Sequence, residues 1–132
     1  MLALNEVSFA YNKEEVVKEV SFLANKGEYL AIIGESGCGK STLLEIIYGL
    51  LHIHKGEVSW EGTKLLGPNH YLIPGEPFIK YLSQDFDLMP FTSAAENIGK
   101  FLPNRYPKAK KERTKELLEL VDMVDFAHVK VK

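Results

Sequence analysis

Residues 31–50 read AIIGESGCGKSTLLEIIYGL. An apolar run stops at a glycine cluster, a lysine and two hydroxyls follow, and an apolar recurrence at helical spacing (Leu43, Leu44, Ile46, Ile47, Leu50) begins at once. Just upstream, EYLAIIG is apolar on both faces, as central strands of α/β sheets are. The spacing predicts strand, loop and helix in direct succession. Residues 34–41, GESGCGKS, fit the pattern G-x-x-x-x-G-K-[ST]. Gly34, Gly37 and Gly39 are expected to take positive φ, so that the backbone curls and successive N–H groups point inward at an anion. The helix that starts there adds free amides and the positive end of its dipole. Such a cradle suits the phosphates of ATP: Lys40 reaches the β- and γ-phosphates and Ser41 offers a hydroxyl to Mg²⁺. Glu35, Ser36, Cys38 and Thr42 complete the candidate nucleotide-binding run. Cys38 reads as a small residue that fits the loop; the other reading is a reactive thiol that bound nucleotide would shield.

Working outward, LALNEVSFAY (2–11) alternates with a bulge expected near Asn5-Glu6, and VVKEVSFLA (16–24) follows a polar turn, so residues 2–24 read as a β-hairpin. KGEVSWEGTKLLG (55–67) reads as strand, tight turn at Glu61-Gly62, and strand, with Trp60 packing on the hairpin. Residues 67–77 are loop-like, and FIKYLS (78–83) reads as a strand ending at Gln84. Helices are expected over 93–102 and 108–124, the second presenting Leu117, Leu120, Val121 and Val124 on one face and KAKKERTK as a solvated start. His52, His54, His70 and His128 show no spacing for a metal site or catalytic dyad.

The whole chain narrows the options further. Its net charge of −2 gives no electrostatic case for nucleic acid or an anionic membrane as main partner. No apolar stretch approaches the roughly 18 residues of a membrane span, and the N-terminus lacks the basic start of a signal peptide. The single cysteine excludes an internal disulfide and fits a cytoplasmic location.

LNEVSFAY, GESGCGKSTLL, KGEVSWEG and YLSQDFDLMPFTSAAENI, in that order and spacing, resemble the ATP-binding-cassette ATPases, the nucleotide-binding domains of ABC transporters. The resemblance runs from about residue 2 to residue 127. It implies an α/β P-loop NTPase of the ABC type, in partial form: an N-terminal antiparallel β-subdomain, a phosphate-loop strand and helix, a Gln84 strand and the start of a helical subdomain. The division implied is 1–91 for the β-subdomain and core, and 92–132 for the helical part. Tyr11 then takes the place of the aromatic residue that stacks on adenine. Gln84 takes that of the glutamine contacting Mg²⁺ and the attacking water. The segment after it, with Phe86, Leu88, Met89 and Phe91, resembles the region that docks on a membrane permease. ATP, Mg²⁺, a permease and a second nucleotide-binding domain are the implied cofactors and partners, at the inner face of the membrane. A soluble ABC protein of translation or DNA repair is the alternative, as is a non-catalytic nucleotide-binding fragment; a phosphate-loop kinase would leave Tyr11 and Gln84 without roles.

Family members carry a Leu-Ser-Gly-Gly-Gln signature, a Mg²⁺-coordinating Asp, a catalytic Glu and a switch His after a segment like LLELVDMVDFAHVKVK, and these 132 residues contain none of them. The expectation is therefore binding without appreciable hydrolysis by this chain alone. The family's core sheet also places two of its later strands between 28–33 and 78–83. Without them, unpaired edges and an open apolar face are expected, compensated by oligomerisation or rearrangement.

Overall fold

The computed structural model describes residues 1–86 and 88–131; Asp87, inside the segment read as permease-facing, and Lys132 lie outside the described residues. The chain forms two compact units, Met1–Tyr81 and Leu82–Lys132.

The first unit is built on the N-terminal hairpin. Strands β1 (Leu2–Tyr11) and β2 (Glu14–Ala24) pair antiparallel, with the register slipping between Leu4 and Val7 at the expected bulge. Glu6 there has φ 47°. The bulge moves the buried series from even to odd positions, so that Leu4, Val7 and Phe9 all face the core. Strand β3 (Lys55–Trp60) pairs with the other edge of β1, and β4 (Thr63–Lys64) with β3 across the Glu61-Gly62 turn, giving the order β2-β1-β3-β4. Gly56 has φ 88°, and a Cβ on it would lie 2.4 Å from the carbonyl oxygens of both Asn5 and Glu6. Only glycine fits where β3 passes the bulge. Glu19 of β2 also has positive φ, and Lys55 ties the irregular stretch together, bonding Glu19 at 2.6 Å and Glu6 at 3.7 Å.

Helix α1 (Lys40–Tyr48) packs on this sheet through Leu43 and Ile46, which join Leu4, Val7, Phe9, Val17 and Val58 in one core cluster. Burial of two such side chains stabilises the docking by about 3–6 kcal/mol. The helix ends at Gly49 in the left-handed region, whose N–H bonds Glu45 O, while Leu50 N–H also reaches Glu45 O at 2.8 Å.

Two expected strands are not formed. Among the described residues no ladder includes 28–33 or 78–83. Backbone pairing needs a neighbouring strand, and hydrophobic pattern alone supplies none. In the first segment Ile32 still packs on the core, but Tyr29 and Ile33 are 103% and 92% exposed.

In the second unit, α2 spans Ala94–Gly99, shorter than the expected 93–102. Ser93 is its N-cap in a full capping box with Glu96. The buried Asn97 side chain accepts from Met89 N–H (2.7 Å) and donates to Met89 O, Thr92 Oγ1 and Ser93 O, pinning the preceding loop. Helix α3 (Pro107–Leu120) starts on Pro107 at its first turn and stops before the expected 124. Asp122 turns into the left-handed region and Met123 N–H closes back on Leu118 O at 2.8 Å. The buried face is consequently Thr114 and Leu118, and Leu120 and Val121 are exposed. A 3-10 turn follows at Val124–Phe126. The segment after it runs beside the entry to α2: Ala94 N–H donates to Val129 O, and Phe91 N–H to Val131 O.

Candidate functional site

The GESGCGKS loop wraps the N-terminal end of α1. Gly37 and Gly39 have φ 82° and 93°, as the motif requires. Gly34 does not have the expected positive φ; its role is space, because a Cβ there would lie 2.6 Å from Cys38 Sγ. Gly39 is the N-cap of α1 and carries no side chain to cap it. The first helical bond runs from Leu43 N–H to Gly39 O, so the amides of Lys40, Ser41 and Thr42 have no partner within the helix. No acidic residue stands in this first turn. At α2 the first amides are all taken: Ala94 and Ala95 donate to the carbonyls of Val129 and Ala127, and Glu96 to Ser93 Oγ. One helix start is closed by two backbone carbonyls and a serine hydroxyl, while the other presents open donors.

Lys40 folds back over the loop. Its ammonium donates to Gly34 O at 2.9 Å and Glu35 O at 2.5 Å, with Cys38 Sγ at 3.7 Å. Those bonds hold the curl closed around a positive charge. Ser36, Gly37, Cys38 and Ser41 are exposed, Lys40 is half-buried, and Thr42 is buried beside the core that anchors α1. The loop is braced from the sheet: a Cβ on Gly39 would meet Val16 O at 2.9 Å and Val16 Cγ1 at 3.0 Å. This contact with β2 had no signal in the sequence, since it joins residues far apart in the chain.

Tyr11 closes β1 and is 45% exposed, its ring meeting Phe9 edge-on at 4.8 Å. It pairs with Glu14, two residues before Val16 on β2. Gln84 belongs to the second unit and is exposed in a turn closed by Phe86 N–H on Ser83 O. Residues 34–42 thus form one loop and helix start, resting through Gly39 on the hairpin that carries Tyr11. Phe86, Leu88 and Phe91 are exposed, and Met89 is half-buried on the Asn97 clasp.

The sequence model of the ABC transporter family matches residues 17–132. The chain belongs to this family. The cassette is 33% identical over 129 residues to the aliphatic sulfonates import ATP-binding protein SsuB of Bacillus cereus, covering 95% of this chain and 48% of that protein. An ABC transporter ATP-binding protein of Thermotoga maritima is 40% identical over 122 residues, covering 88% of this chain and 51% of its own length. Among solved structures, the dimeric post-hydrolysis state of the ATP-binding cassette MJ0796 bound to ADP and Pi superposes with a TM-score of 0.70 at 25% identity. That match covers 98% of this chain and 61% of the other. The cassette therefore spans about half the length of these curated relatives. Its fold is the α/β fold of the ABC cassettes in partial form. No helix among the described residues is long and apolar enough to cross a membrane.

Proposed function

We propose that this cassette is the nucleotide-binding portion of an ABC transporter's ATP-binding subunit and holds Mg-ATP through residues 34–42. One observation carries the reading: α1 begins without cap or acidic residue, inside a loop curled around Lys40. Phosphate oxygens satisfy the open amides, and Lys40 exchanges neutral carbonyls for charged acceptors, bonds roughly twice as strong. Ser41 fits Mg²⁺, a hard cation that takes few protein oxygens beside waters and phosphate, and its hydroxyl is exposed next to Lys40. The bound ion would neutralise charge on the β- and γ-phosphate oxygens. Tyr11 offers its face to adenine, a stacking contribution of about 1–3 kcal/mol.

In the whole protein this site would drive transport through a membrane permease, paired with a second nucleotide-binding domain at the cytoplasmic face. The import role in the name of SsuB supports that reading, and exposed Phe86, Leu88 and Phe91 supply the surface facing the permease. Alone, the 132-residue chain binds without appreciable turnover, because its sequence offers Lys40 for charge but not the family's signature motif, Mg²⁺-coordinating Asp, catalytic Glu or switch His. Calorimetry with Mg-ATP tests the site: Lys40→Ala should weaken binding by about tenfold or more, and equal binding by both forms would overturn it. Steady hydrolysis by the chain that Lys40→Ala abolishes would refute the claim of inactivity.

A further inference from the structure

His52, His54 and His70 have no telling spacing, yet they line one cavity of about 440 Å³ within the first unit. The end of α1, the 51–54 connection, β3 and the 64–70 segment form its walls. Its floor is apolar, with Ile46 and Val58 from the core and Leu65 packed against it. The walls are held by backbone bonds: Leu65 N–H to Val58 O at 2.8 Å, His54 N–H to Ser8 O at 3.1 Å, and His70 N–H to Gly67 O at 3.0 Å. The His52 ring lies close to Gly67, where a Cβ would stand 3.3 Å from its Nδ1.

The polar lining is one-sided. His54 Nδ1 accepts the Ala10 N–H at 3.4 Å, which leaves the ring hydrogen on Nε2 and makes that atom a donor. Lys55 is occupied by Glu19 and Glu6, whereas Lys64 pairs with Glu57 at a longer 3.5 Å. Among the described residues, no Asp or Glu lines the cavity and no metal-holding cluster occurs. Donors stand over an apolar floor, and the glutamates paired with Lys55 and Lys64 are not among the described lining residues. A cavity of this size and lining orients a small ligand through a few polar groups and holds it through its apolar body.

The geometry points to a second ligand site, distinct from residues 34–42, that takes a small organic carboxylate with a compact apolar body. The carboxylate meets the imidazole N–H groups and Lys64, and the body lies against Ile46, Val58 and Leu65. Cyclohexanecarboxylate is the probe, titrated into the full chain and followed by amide-resolved NMR, with its neutral carboxamide in parallel. Saturable shifts centred on residues 51–54 and 64–70 are expected. The carboxamide, and the carboxylate on a His52→Ala/His70→Ala variant, should each bind about tenfold more weakly, the loss for a charge-assisted hydrogen bond. Both histidines are exposed, so the variant retains the core, and Lys64→Gln gives a second test at a residue outside it. Shifts centred on residues 34–42, equal binding of the carboxamide, unchanged binding by the variants, or no saturation would each overturn the site.

Discussion

Substituting alanine at the two left-handed glycines of the phosphate loop separates what the loop itself demands from what β2 demands. Gly37 and Gly39 have nearly equal φ, so Ala in either costs about 1–2 kcal/mol of backbone strain. Both also gain the same unfolded-state entropy, which cancels in the comparison. They differ in surroundings. A Cβ on Gly37 meets nothing within 4 Å, whereas one on Gly39 meets Val16 O at 2.9 Å and Val16 Cγ1 at 3.0 Å. Relieving that overlap requires moving strand backbone, an overpacking cost of about 1–3 kcal/mol. Gly39→Ala should therefore destabilise the chain by about 1–3 kcal/mol more than Gly37→Ala, a difference of about 1 M in urea midpoint at usual slopes. Urea unfolding of both variants beside the parent chain measures it. Equal losses, or a milder Gly39→Ala, would show that the loop does not rest on β2.

Gly56→Ala should be the most disruptive of the glycine changes, losing about 2–5 kcal/mol through strain plus contact with two carbonyls, read from the same unfolding curves. Glu96 should titrate below the ordinary carboxylate value of 4.5, held down first by the Ser93 N–H and then by the Ser93 hydroxyl. Because its folded value is depressed, the stability that it contributes is present above the ordinary value and is lost as pH falls through the folded one. NMR titration of the Glu96 carboxyl checks the direction, and Ser93→Ala should return it toward the ordinary value. Tyr29 and Ile33 present an unpaired apolar run, so the isolated chain should self-associate and Tyr29→Ser/Ile33→Ser should reduce it. Light scattering that finds a compact monomer at high concentration would contradict this.

What could be read from sequence followed local rules. The hairpin, its bulge at Asn5-Glu6, the Glu61-Gly62 turn and the loop-to-helix passage at 34–41 each have signals within a few residues. Helix ends were less legible. The capping box at Ser93 is a local signal, but where α3 stops depends on the left-handed turn at Asp122.

Signals within a few residues were enough for the loop and its helix: two glycines that curl, Gly37 and Gly39, and a helix begun without a side-chain cap. Tertiary structure decided everything requiring a distant neighbour. It put Val16 under Gly39, required glycine at 56 by running β3 across the bulge of β1, and drew His52, His54 and His70 to one cavity. It also left 28–33 and 78–83 out of any ladder among the described residues. The physical reason is common to all of these. Helices and turns satisfy their backbone groups within a few residues, while strands and cavities exist only through residues far along the chain.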